Sequence, residues 1–280
     1  MGEPASGQAF EAASRQAVGS GRVRLGQLEV DRLTFGQALD AIDDLVKDGR
    51  GGTVFTPNVD HVVLAEHDHA FRACYRKATL RLADGMPLVW ASRLYGDRVP
   101  EKVSGSDLIL PLMRRAAERG WRVFLLGAGP GVGEKAALIL RTQLGVNVAG
   151  VAAPMLTGAG TAAQRAEIVA QVRATAPDLV VVGFGAPKQE LFIDAVRADL
   201  PAAVLLGLGA CIDFIAGNVP RAPPWMSRNG LEWLYRLCRE PRRLWRRYLL
   251  RDPQFARILW RGFWERRMAG ALPAGETQAA

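Results

Sequence analysis

Two groups of residues in this chain could do chemistry. The first is arginine. Between Arg221 and Arg267 there are thirteen Arg against four acids (Glu232, Glu240, Asp252, Glu265), a net of +9 in a chain whose total is +8. Everything else is therefore about neutral, at −1. Trp225, Trp233, Trp245, Trp260 and Trp264 share that stretch. So sharp an asymmetry implies a negatively charged partner: nucleic acid, an anionic membrane or a phosphorylated substrate. A solvated basic helix face is the plainer alternative. The second group is polar residues placed just after short apolar runs: Thr56-Pro57-Asn58, Asp84-Gly85, and Gly185-Ala186-Pro187-Lys188-Gln189-Glu190. Ligands of α/β sheets bind outside the carboxyl ends of the strands, which is where such residues would stand. Asp-Gly is also ordinary turn or cap chemistry, so Asp84 alone decides nothing.

The elements that must position these residues follow from apolar spacing. Val23 to Val30 alternates as a strand, and Thr34 to Lys47 has helical spacing. Thr53 to Thr56 reads as a strand stopped by Pro57, followed by a helix from about Val59 that carries His61, His67 and His69. No two of these His stand at i, i+4, so they are expected to face solvent rather than hold a metal. Leu80 to Ala83 is a short strand delivering Asp84, and helices follow over Pro87–Leu94 and Ser104–Arg119. Arg122 to Leu126 is a strand ending in Gly127-Ala128-Gly129-Pro130-Gly131-Val132-Gly133. A dinucleotide fingerprint needs Gly at 132, where the chain has Val, and no acid follows about twenty residues on to hold a ribose. A phosphate at this glycine turn stays open; NAD does not.

The alternation continues with strands Val146–Val151, Leu179–Phe184 and Ala203–Leu208 and a helix Ala162–Ala174. After the Leu179–Phe184 strand Pro187 suits a first helical turn, which sets Lys188, Gln189 and Glu190 at a helix N-terminus. The expected fold is α/β: a Rossmann-like, mostly parallel sheet with helices on both faces, plus a C-terminal basic amphipathic helical appendage. The expected organisation is a disordered lead-in over 1–21, an α/β catalytic domain over 22–220, an appendage over 221–268 and a loose tail over 269–280. Within the appendage Phe255, Ile258, Leu259, Gly262 and Phe263 share one helical face, with Arg257, Arg261, Arg266 and Arg267 on others. An apolar face beside an Arg-rich one suits a lipid interface, and this one is expected to bind an anionic membrane surface. The first residues lack a signal-peptide core, and Cys74, Cys211 and Cys238 have no metal-ligand spacing. Both point to a cytoplasmic protein with reduced thiols.

Together these pieces resemble the WecG/TagA/CpsF glycosyltransferase family. The matching motifs run from Thr56 to Arg247: Thr56-Pro57-Asn58, Ala83-Asp84-Gly85, Val103-x-Gly105-x-Asp107, Leu125-Leu126-Gly127-Ala128, Gly185-x-Pro187-Lys188-Gln189-Glu190, Asp213-x-x-x-Gly217, Arg221-Ala222-Pro223, and Leu231-Glu232-Trp233-x-Tyr235-Arg236-x-x-x-Glu240-Pro241-x-Arg243. The resemblance implies a metal-independent, inverting transferase with no cofactor, moving a sugar from a UDP-sugar donor to a polyprenyl-diphosphate-linked sugar acceptor. The implied setting is the cytosolic membrane face, in synthesis of a cell-surface or exopolysaccharide. By the same resemblance Asp84 is the general base with Thr56 and Asn58 beside it, and Gln189 contacts substrate. Lys102, Gly127, Gly185, Glu190 and Asp213 belong to the binding site, and Arg236, Arg243 and Arg246 close over the donor's diphosphate. Lys102 stands where the family has Arg, which keeps charge but loses the bidentate fork. Ala153-Pro154-Met155 replaces a His-Gly-Tyr-like segment, which bears on sugar choice.

The chemistry agrees. A hydroxyl attacking an anomeric carbon needs a base within hydrogen-bond reach, and an exposed Asp (reference pKa ~3.9) is ionised at neutral pH. The departing diphosphate needs a metal or cations. No Asp-x-Asp occurs in the chain, which leaves the arginine forks. Two competing classes are weaker. A nucleotide-dependent oxidoreductase fails on the fingerprint, and a nucleic-acid binder leaves Asp84 and the Gln189 loop without a role, so no nucleic-acid partner is expected. Homo-oligomerisation is left open.

Overall fold

The computed structural model describes residues 21–219, 222, 223, 226, 231–239, 241–246 and 251–271; the side chains of 236, 243 and 269–271 are not part of that description. Six strands form one parallel sheet: β3 (Gly52–Phe55), β4 (Leu80–Arg81), β5 (Arg122–Gly127), β6 (Asn147–Ala152), β7 (Leu179–Gly183) and β8 (Val204–Gly207), in the order β4-β3-β8-β7-β5-β6. Each strand's alternate residues serve opposite faces. Phe124, Leu126, Val180, Val182 and Leu205 enter one core; Val123, Leu125, Leu179, Val181 and Leu206 enter the other. Burial on both faces is why these strands read as continuous apolar runs rather than as half-polar ones.

Helices cover each face. On the first lie α2 (Val59–His67), α3 (His69–Lys77), α4 (Met86–Leu94), α7 (Ala162–Thr175) and α8 (Lys188–Val196). On the second lie α1 (Phe35–Lys47), α5 (Gly105–Arg119), α6 (Val132–Leu144) and α9 (Cys211–Ile215). Their starts are written in the sequence. Thr34 and Thr161 each make a capping box with a Gln three residues on, while Asn58, Asp68 and Ser104 cap α2, α3 and α5. The expected α/β fold, with a largely parallel sheet flanked by helices, is the fold observed.

Two local expectations are corrected. Val23 to Val30 is a hairpin, β1 (Arg22–Leu25) and β2 (Leu28–Asp31), turning at Gly26-Gln27 with Leu25 paired to Leu28. The run read as one helix from Val59 is two, because Asp68 ends α2 and caps α3. With that break His61 is buried rather than solvent-facing, at 6% exposure; its Nδ1 is 3.1 Å from the Tyr75 hydroxyl and its ring packs edge-on against Phe71. His67 and His69 are exposed as expected.

C-terminal to the sheet lie α10 (Glu232–Arg239), α11 (Pro241–Arg246) and α12 (Gln254–Ala271). Phe255 and Ile258 of α12 are buried in the first core, and Leu259 packs against it. The Tyr95 hydroxyl donates to Leu259 O at 2.9 Å, and Gly262 lies so close to that ring that an added Cβ would stand 2.5 Å from the hydroxyl. Arg251–Asp60 (2.8 Å), Arg261–Glu66 (2.6 Å) and Arg266–Asp97 (2.6 Å) complete the docking. The face carrying Phe255, Ile258 and Leu259 therefore meets protein, which corrects its expected contact with lipid. Trp260, Trp264 and Met268, one turn apart, are exposed instead (66%, 45% and 69%). No helix among the described residues is long and apolar enough to cross a membrane.

Candidate active site

All six strands run the same way, so their carboxyl ends share one edge, and the polar residues singled out from sequence gather there. The chain leaves β3 toward the β4 margin and leaves β5 toward the β6 margin, the divergence that opens a crevice in doubly wound sheets. The loops after β3 and β4 are joined by backbone bonds. Leu82 N donates to Phe55 O, and Asp84 N to Pro57 O, both at 2.8 Å. Thr56 is buried, and Asn58 is committed at the start of α2, where its Oδ1 accepts from His61 N at 3.4 Å. Thr56, Asn58 and Asp84 are thus brought together on two neighbouring loops. Gly85, at φ 116°, takes a conformation that side chains rarely adopt and turns the chain from Asp84 into α4.

The next segment closes on the same edge. Val103 N donates to Ala83 O at 2.9 Å, which holds Lys102 near Asp84. Lys102 Nζ pairs with Asp107 Oδ2 at 2.8 Å and with Glu232 Oε2 at 3.7 Å. Burial works against the ammonium. The Asp107 hydrogen bond and the charges of Asp107, Glu232 and Asp84 outweigh it and raise its pKa above the usual lysine value. Glu232 opens α10, so Lys102 ties the arginine-rich segment to the Asp84 loop. Asp107 is in turn fixed by Ser104, whose Oγ donates to Asp107 Oδ2 at 2.6 Å. The sequence presents Asp107 and Glu232 only as parts of motifs. Their signal as site residues is a basic residue, Lys102, with acids able to reach it.

At the centre of the edge Gly127 packs against the neighbouring strand end. A Cβ on Gly127 would lie 2.9 Å from Phe184 and 3.0 Å from the Gly183 carbonyl carbon, and Ala128 N donates to Gly183 O at 3.2 Å. Gly185 starts the turn into α8, its carbonyl accepting from Gln189 N at 3.0 Å. Gln189 and Glu190 are buried, at 2% and 0% exposure. Gln189 Oε1 accepts from Gly209 N at 3.0 Å, while its Nε2 donates to Glu190 Oε1 at 2.9 Å. The two bonds demand opposite ends of one amide, so its orientation is fixed. Gln189 holds the β8–α9 loop from behind. Burial pushes the Glu190 carboxyl up to about 7, against the opposing pull of the Gln189 bond and of its backbone hydrogen bond.

Asp213 lies half-buried on α9, just past that loop. Arg246 is exposed on α11 with its guanidinium 5.4 Å from the Trp245 ring centroid. Arg236 and Arg243 belong to α10 and α11, and their side chains lie outside the described residues, as does Arg221. No group of three or more His, Cys, Asp or Glu that could hold a metal occurs among the described residues.

A parallel sheet with helices on both faces carries, at its carboxyl edge, a carboxylate, a lysine and two neutral polar side chains, with an arginine-rich segment tied to that edge. The family model for the glycosyl transferase WecG/TagA/CpsF family matches residues 23–269, and the chain belongs to that family. It is accordingly a glycosyltransferase, of a family associated with sugar transfer in cell-surface polysaccharide synthesis.

Proposed function

We propose that the protein is an inverting hexosyltransferase that moves a sugar such as N-acetylmannosamine, its uronic acid or a glucose-like sugar from a UDP-sugar to a polyprenyl-diphosphate-linked sugar. Asp84 takes the proton of the attacking acceptor hydroxyl, and Thr56 and Asn58 orient that hydroxyl. Arg236, Arg243 and Arg246 neutralise the UDP diphosphate as the anomeric bond breaks, without a divalent metal. The observation that carries this reading is the pairing of Lys102 with both Asp107 and Glu232. It brings the first turn of α10, and with it the arginine-bearing helices, to the loop of Asp84. Gln189, fixed by Gly209 and Glu190, shapes the neighbouring loop.

An acceptor held in a membrane requires the enzyme to sit on the cytoplasmic surface. The face suited to that is the exposed side of α12. Trp260, Trp264 and Met268 form its apolar stripe, with the exposed Arg257 and Arg267 beside it. Aromatic anchors with flanking arginines suit an anionic interface. Incubation with a panel of UDP-sugars and short-chain prenyl-diphosphate sugars, with and without EDTA, tests the reaction. One donor–acceptor pair should give a disaccharide product with inverted anomeric configuration that survives EDTA. No product from any pair, or a strict metal requirement, would overturn the mechanism.

A further inference from the structure

We propose that the pocket between the β1–β2 hairpin and the end of α3 binds a phosphate-bearing anion. The pocket encloses about 360 Å³ and is lined by Arg22, Arg24, Arg76 and Arg81, with Gln27 and Glu29. Nothing in the transferase reading uses it.

Its floor is built. Arg81 is 2% exposed, and its guanidinium is held by the last-turn carbonyls of α3: Nε donates to Tyr75 O and Nη2 to Arg76 O at 2.7 Å. Those carbonyls are among the four that a helix end leaves without intrahelical partners, so the sequence uses them to aim an arginine. Arg81 Nη1 then lies 3.8 Å from Glu29 Oε2, and Arg22 Nη1 lies 3.9 Å from the same oxygen. Both separations are attractive but too long for hydrogen bonds. Glu29 is half exposed and can swing away. Its carboxylate stands between two guanidiniums at the spot where a more highly charged oxyanion, with more oxygens to offer, would bond to both.

The charge fits. Four guanidiniums line the pocket with one carboxylate, Glu29, which lies nearest Arg22 and Arg81. Asp31 is already engaged by Arg22 Nε at 2.9 Å and by the Arg81 backbone N–H at 2.6 Å. A phosphate monoester carries about −1.5 to −2 near neutral pH, and arginine forks match its oxygens. Arg81 precedes Asp84 by three residues, so their Cα atoms are at most about 10 Å apart. On the other side of the hairpin, Arg24 and Gln27 also line a cleft of about 240 Å³ against Tyr95, Ile258 and Gly262. Two sources of phosphate therefore suit the place: a free phosphate compound, or the headgroup of a lipid under α12.

The test uses the full chain at low salt. Inorganic phosphate is titrated by calorimetry, and flotation is measured with phosphatidylcholine vesicles with and without phosphatidic acid. Arg24→Ala/Arg76→Ala, both exposed positions, should weaken binding at least about tenfold. Glu29→Gln should strengthen it severalfold by removing the competing carboxylate. Arg114→Ala, on the opposite face of the sheet, removes the same kind of charge and should change neither readout. Loss of phosphate binding in the double variant assigns the site to free phosphate; loss of phosphatidic-acid flotation without phosphate saturation assigns it to the headgroup. If neither readout responds to the double variant, or if Glu29→Gln weakens binding, the proposal is overturned.

Discussion

The loops after β3 and β4 and the helix α12 are positioned by different means. At the sheet edge the backbone sets the course of the loops, through the 2.8 Å bonds Leu82 N to Phe55 O and Asp84 N to Pro57 O. On α12 side chains do the docking: Phe255 and Ile258 in the core, and Arg261 and Arg266 on Glu66 and Asp97. The first arrangement keeps its backbone bonds when a side chain changes, so its mutations should register mainly as function. The second spends its side chains on attachment, so its mutations register as stability. Mutations in the two regions should therefore separate by assay.

The largest effect is expected from removing α12. Truncation after Asp252 takes Phe255 and Ile258 out of the core, each worth about 1.5–3 kcal/mol, an upper figure because unfolded chains already bury some surface. A loss of about 3–6 kcal/mol is a large part of a domain's usual margin of about 5–15 kcal/mol. Urea unfolding should show a much lower midpoint. An unchanged midpoint would mean that α12 is a separable appendage after all.

Next is the pH dependence contributed by Glu190. Its carboxyl is raised from 4.5 to about 7, so the folded state keeps a proton that the unfolded chain releases. The stabilisation from that proton is present in full below about 4.5 and lost as the pH rises through about 7. It amounts to about 3 kcal/mol by linkage. Charged or titratable neighbours that bear on this region are Cys74, Tyr75 and Lys77 of α3, Asp194 one turn along α8, Arg81 and Asp84. Glu190→Gln should flatten the fall in unfolding free energy between those pH values. The same slope in both proteins would place the proton elsewhere.

Asp84→Asn comes third. It keeps the loop's backbone bonds and removes basicity, so turnover should fall about 10²-fold while the urea midpoint and donor affinity hold. Near-normal turnover would return Asp84 to the role of a turn residue.

How much can be read from the sequence differs between the two regions in the same way. The carboxyl edges that carry Thr56 and Gln189 are legible because their buried strands give apolar runs ended by Pro or Gly, while the short run before Asp84 is broken by Arg81 and marked by its Asp-Gly end. The hairpin is hidden by apparent alternation, although Val23 and Leu25 are odd-numbered and Leu28 and Val30 even, a phase slip that marks a two-residue turn at Gly26-Gln27. The burial of His61 is not legible because its partner, Tyr75, lies beyond a helix break that Asp68 makes. On α12 the apolar face itself is plain in the spacing of Phe255, Ile258, Leu259 and Gly262. What covers it is not, since protein and lipid ask for the same residues. The deciding partner, Tyr95, is more than 160 positions away in sequence.

That ambiguity sets the most discriminating prediction. The two faces of α12 should answer to different assays. Trp260 and Trp264 stand 5.7 Å apart edge to face and are exposed, with Arg267 over the Phe263 ring at 5.0 Å. Trp260→Ala/Trp264→Ala removes no core contact, so the unfolding free energy should stay within about 0.5 kcal/mol of the parent. Partition to anionic vesicles should fall roughly tenfold, because two interfacial rings are lost while the flanking arginines remain, each still worth about 1 kcal/mol near the surface. Phe255→Ala should do the reverse, lowering the unfolding free energy by about 3 kcal/mol or more while vesicle binding of the folded fraction persists. Raising the salt should weaken what binding remains in the tryptophan variant, since only screened charges then hold it. If the tryptophan variant partitions like the parent, the membrane contact is not on α12. The exposed Trp90 and Leu94, one turn apart on α4, would then be the surface to test.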